Sequence, residues 1–72
     1  MIALIEVHSA TYEPVDGKTD KVKGSLIRIA PQYIQAIQEA GFDCTSVMFG
    51  NFWHIIYEPI QQVMALLRSA GS

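Results

Sequence analysis

The sequence predicts an α+β fold: a small antiparallel sheet of about four strands (2–11, 26–30, 44–49 and 52–57) with a C-terminal helix over 59–69. Two observations carry most of that prediction. Between Cys44 and Tyr57 there is no Asp, Glu, Lys or Arg, and Gly50-Asn51 separates two runs rich in β-branched and aromatic residues, which is a hairpin signal. Pro59 then stands where a first helical residue tolerates proline, and Ile60, Val63, Met64 and Leu67 follow at i, i+3, i+4, i+7, one face of a helix.

Taken in order, residues 2–11 form the first strand, with Ile5, Val7 and Ser9 on one face and Leu4, Glu6 and His8 on the other. Residues 12–25 hold Glu13, Asp16, Lys18, Asp20, Lys21 and Lys23, half of the formal charges, with turn signals at Pro14 and Asp16-Gly17. That stretch reads as a long, mobile hairpin loop, with room for short extended flanks, within a single domain spanning 1–72. Leu26-Ile27-Arg28-Ile29-Ala30 is a short strand with Arg28 on the face opposite Ile27 and Ile29. Residues 31–40 fit two states. Pro31 at a first helical position, Tyr33, Ile34, Ile37 and Ala40 at helical spacing, and Gly41 past the end make a short-helix signature. The run 34–38 also fits an extended segment. In strand 44–49, Thr45, Val47 and Phe49 share a face; in 52–57, both faces carry large apolar side chains. Glu58, before a proline, is kept out of the helical region and marks the strand-to-helix corner, close to the positive end of the helix. Arg68 in the last turn suits the negative end.

Length and composition bound the function. A chain of 72 residues buries only about 60% of its unfolded surface, and natural domains below about 80 residues add disulfides, a metal or a partner subunit. Cys44 is the one cysteine, so no internal disulfide forms, and no cluster of Cys and His suggests zinc. Association is the remaining device. Charged residues make up 17% of the chain, below the roughly 25% of soluble domains, which points the same way. A net charge of −2 argues against a nucleic-acid binder, whose footprint is basic. No apolar run reaches the ~20 residues of a membrane span, and no signal-peptide pattern is visible, so a cytoplasmic location with a reduced Cys44 is expected.

No phosphate-binding glycine loop, Gly-x-Ser-x-Gly or His-Glu-x-x-His occurs. His8 is a solvated or hydrogen-bonded strand residue by default. Cys44 and His54 would make a nucleophile pair only if they were neighbours on paired strands with a third group to orient them, and none is identifiable. Glu6, Glu39, Asp43 and Glu58 show no paired spacing. The aromatics Phe49, Phe52, Trp53 and Tyr57 suit either a β core or a stacking platform for a base.

The run from Leu26 to Ile34, then Ile37, Thr45-Ser46-Val47 and the stretch from Ile55 to Val63 resemble the small FlbD-like (SwrD-like) proteins over residues 26–67. Ala30-Pro31-Gln32-Tyr33-Ile34 stands where that family has Asn-Pro-Asp-x-Ile, and Glu58-Pro59-Ile60-Gln61-Gln62-Val63 where it has Glu-Ser-x-Glu-Glu-Val. The resemblance implies an opening strand, a glycine turn, a strand-to-helix corner and a final helix, and an extended course for 33–38. Such chains occur in phages and plasmids as well as flagellar operons. This sequence departs from them in its long 12–25 segment and in lacking the Glu-Glu pair.

The expected function is a non-enzymatic, self-associating binding or regulatory module, a phage or bacterial accessory protein acting through protein contacts, with no cofactor or metal. Its candidate interface residues are Phe52, His54, Met64 and Leu66. Leu66 lies off the helix stripe that Ile60, Val63, Met64 and Leu67 turn to the sheet. The alternative is an oligomer that sequesters an anionic small ligand such as a nucleotide between subunits, with Lys18, Lys21, Lys23 or Arg28 on the phosphate and Trp53 or Tyr57 on the base.

Overall fold

A computed structural model describes residues 3–71 as five antiparallel strands and one helix: β1 (Ile5–Val15), β2 (Lys18–Ile29), β3 (Ala36–Ala40), β4 (Cys44–Phe49), β5 (Phe52–Ile56) and α1 (Ile60–Gly71). The strand order is β2-β1-β5-β4-β3. The sheet therefore has five strands where about four were expected. Ile2, expected to open the first strand, lies outside the described residues.

The fifth strand comes from residues 31–40, and both readings of that stretch hold in part. Pro31–Tyr33 makes one 3-10 turn, with Tyr33 N donating to Ala30 O (3.0 Å) and Ile34 N to Pro31 O (3.1 Å). The chain then extends. Gln35 N donates to Met48 O at 2.7 Å, and Ala36 to Ala40 pair with Met48 to Cys44. A helix over 31–40 would satisfy its own backbone but leave the β4 edge bare; pairing with β4 supplies a ladder and lays Ile37 on the core.

Residues 12–25, expected as a mobile hairpin loop with at most short extended flanks, are paired strand right up to a two-residue turn. Asp16 (φ 52°) and Gly17 (φ 77°) both take left-handed conformations, the type I′ geometry that suits strand twist. The register runs from Ile5↔Ile29 to Val15↔Lys18, with a shift between His8 and Ala10. There Ser9 Oγ accepts from Ser25 N (3.0 Å), and a Cβ on Gly24 would collide with that hydroxyl. This irregularity divides the ribbon. Its inner half places Ile5, Val7, Ile27 and Ile29 on the core. Its outer half leaves β5 after the Ser9↔Ile56 bridge and reaches the β3–β4 turn, where Tyr12 Oη donates to Gly41 O at 3.1 Å.

The core comprises Ile5, Val7, Ile29, Val47, Ile56 and Val63, flanked by Ile27, Ile34, Ile37, Phe49, Leu66, Leu67 and Ala70. The helix stripe is therefore Val63, Leu66, Leu67 and Ala70, rotated from the expected one. Leu66 packs on the core, and Met64 is 41% exposed.

On β5, His54 faces Val47 on the core side, its ring stacked on Phe49 at 3.8 Å between centroids. Trp53 pairs with Met48 on the opposite face and is 45% exposed. Of the two readings of Trp53, β core and open platform, that exposure goes against the core. Trp53→Ala should lower stability by about 1 kcal/mol, well short of the ~3–5 kcal/mol of a core tryptophan; a thermal melt checks this.

Candidate functional site: an open sheet edge beside an apolar groove

The two edges of the sheet differ. β2 carries Lys18, Asp20, Lys21, Lys23 and Arg28 and the irregularity at Gly24. Charges and bulges of this kind discourage pairing with another chain. β3 reads Ala-Ile-Gln-Glu-Ala, with Glu39 its one charge and no proline or lysine. Its outer rim therefore offers unpaired backbone groups with little to deter a partner strand.

A groove of about 740 Å3 runs between β3 and α1, lined by Ile34, Gln35, Ala36, Ile37, Ile60, Gln61, Met64 and Arg68. Local sequence explains its position. Pro31 starts the turn that drops Ile34 beside the helix, and Pro59 starts the helix that runs antiparallel to β3. The ends of this face differ in charge. Arg68 sits at the Ile34–Gln35 end, while Glu39 and Asp43 lie with Pro59, Ile60 and Gln61 at the other. None of Arg68, Glu39 and Asp43 forms an ion pair with another described residue.

Two clusters hold this edge in place. At the strand-to-helix corner, the Glu58 carboxylate accepts from His8 N (2.8 Å) and from the His8 ring at Nδ1 (2.7 Å). Thr45 Oγ1 donates to Glu58 O (2.8 Å), and Tyr57 N to His8 O (2.8 Å). Burial pushes the Glu58 pKa up, but the hydrogen bonds from the His8 ring and backbone and the charge of the ring outweigh it, holding the carboxyl below its ordinary value.

The second cluster surrounds the β3–β4 turn. Phe42 and Asp43 both have φ of 59°, an uncommon conformation for a bulky aromatic. The ribbon holds them: Tyr12 and Phe42 rings lie 5.2 Å apart, and Lys21 Nζ donates to Asp43 O (3.2 Å) and Tyr57 O (3.0 Å). Loss of hydration at the Tyr12 hydroxyl, followed by the nearby Cys44 thiol, raises its pKa, so it stays a donor to Gly41 O. At the other end of β3, Gln35 and Asn51 exchange two bonds of 2.9 Å, bracing the Gly50-Asn51 turn, whose residues have φ of 62° and 67°.

The ligand candidates from the sequence come together only in part. Lys21 and Lys23 lie over the Tyr57 ring, at 4.2 and 5.3 Å from its centroid. Lys18 is at the ribbon tip, Arg28 is paired with Glu6 at 2.7 Å, and Trp53 is on β5 beside Met48. Of the interface candidates, Met64 lines the groove, Phe52 is 71% exposed opposite Phe49, and His54 and Leu66 turn inward. Cys44 is buried on the face away from His54, so the two do not form a nucleophile pair. Among the described residues no three of His, Cys, Asp and Glu converge on a metal position, and no helix is long and apolar enough to cross a membrane.

Sequence reasoning left 31–40 open between helix and extended segment, gave Glu39 no role, and missed the His8–Glu58 pair. Glu58 had a signal, since a glutamate before the helix proline marks the corner. His8 and Glu58 are 50 residues apart, and no local pattern links them. No family model matches this chain, and neither a curated protein nor a solved structure matches it.

Proposed function

We propose that the protein is a non-enzymatic, self-associating binding module, a small accessory protein that works through protein contacts. The observation that carries this reading is the open β3 edge lying beside an apolar groove. An edge strand with a single charge and no lysine or proline is a template for strand addition, and the groove supplies side-chain burial next to the backbone ladder. A domain of this size with no disulfide gains stability by covering such a surface. The FlbD-like resemblance over residues 26–67 supports a bacterial or phage accessory role.

The nucleotide-sequestering alternative has less support. Lys21 is engaged with two carbonyl oxygens and Arg28 with Glu6, so two of its cations are already satisfied within the subunit.

Native mass spectrometry at micromolar concentration tests the reading. Species heavier than the 8.0 kDa chain are expected; a spectrum of monomer alone across the concentration range would contradict it.

A further inference from the structure

We infer that β3 pairs antiparallel with β3 of a second copy of this chain, about a two-fold axis at Gln38, extending the two five-stranded sheets into one. The inference rests on the self-association reading and names its surface and its partner.

The charge pattern selects the occupant. A two-fold axis at Gln38 sets Gln38 opposite the partner's Gln38, Ile37 opposite the partner's Glu39 and Ala36 opposite the partner's Ala40. Because α1 runs antiparallel to β3, the same operation brings the Arg68 end of one groove against the acidic end of the other. Arg68, which makes no ion pair with the described residues of its own subunit, meets the partner's Glu39 and Asp43. The pairing is reciprocal, so each interface holds the contact twice, as a two-fold arrangement requires.

The surroundings agree. Gln38 is exposed and lies on the sheet face opposite the helix, flanked there by Ala36 and Ala40, so the join is not crowded. On the helix side, Ile37 is half-buried and Met64 exposed, and a second copy would cover both. The opposite edge, β2, is broken by the irregularity at Gly24-Ser25, and its Arg28 is already paired with Glu6 within the subunit.

Sedimentation equilibrium on the full chain tests the arrangement, with far-UV circular dichroism to confirm folding. Gln38→Lys places two ammonium groups directly opposite each other and should weaken the dimer at least tenfold, with recovery at high salt. Arg68→Glu and Glu39→Arg should each weaken it by roughly tenfold, and the double variant Glu39→Arg/Arg68→Glu should restore it to within a few-fold of wild type. A wild-type dimer that all of these variants retain unchanged would overturn the inference and leave self-association standing through another surface. A wild-type monomer at every concentration would overturn both.

Discussion

Val63→Glu should not fold. Val63 is fully buried at 0% exposure, at the centre of the contact between α1 and the sheet. It touches a core built from Ile5, Val7, Ile29, Val47 and Ile56, none of which offers a hydrogen bond to a carboxylate. An isolated charge in such a place costs several kcal/mol even after its pKa rises to neutralise it. A domain with one small core has little to set against that, since whole domains are stable by only ~5–15 kcal/mol. Val63→Ala, which removes packing alone, should cost about 2 kcal/mol and remain folded. Circular dichroism separates the two: the Glu variant should show no cooperative melt at pH 7, and the Ala variant a melt at lower temperature.

Glu58→Ala should be the most damaging polar substitution. The carboxylate receives the His8 backbone N–H and its ring N–H, and Glu58 is 7% exposed. Removing it strands two donors between β1 and the helix start, at a cost of about 2–4 kcal/mol. For a domain this small, that lowers the melting temperature by roughly 10–25 °C. The pH dependence has a definite sign. The folded pKa of Glu58 lies below its unfolded value. The pair therefore contributes fully above the ordinary glutamate pKa of about 4.3, and its contribution is lost as pH falls from there through the folded value. The gap between wild type and Glu58→Gln should thus be present at pH 7 and shrink by pH 3. A gap of constant size across that range would show that the carboxylate acts through its shape and not its charge.

The parts of the fold visible in the sequence are those where one local signal matches one tertiary role. Strand 44–49 is charge-free, the Gly50-Asn51 turn stands at a two-residue hairpin, and Pro59 starts a helix; each appears within a residue or two of its expected place. How far the strands pair along 12–25 was hidden because both faces of that hairpin meet water over most of their length. Its charges then show no alternation, although Asp16-Gly17 marked its tip. β3 was hidden by its spacing: Tyr33, Ile34, Ile37 and Ala40 match a helix, and only the unpaired β4 edge decides for a strand. At the Phe42-Asp43 turn no glycine stands at the left-handed positions, and the grip of Tyr12 and Lys21 permits them. On α1, Met64 and Leu66 exchanged expected roles. Both sit at the margins of a wide apolar stripe, and the approach angle of the sheet chooses between them. The groove and the open edge inherit that invisibility, since β3 forms both.

Amide hydrogen exchange at residues 36–40, followed through a dilution series, is the most direct test of pairing across β3. The outer backbone groups of β3 have no partner in a single subunit and gain one in the pair. Protection at residues 36–40 should rise with protein concentration, in step with the association seen by sedimentation, while the Val47 and Ile56 amides within the sheet stay protected throughout. Exchange across 36–40 that is equally fast at every concentration, in a sample that sediments as a dimer, would contradict it.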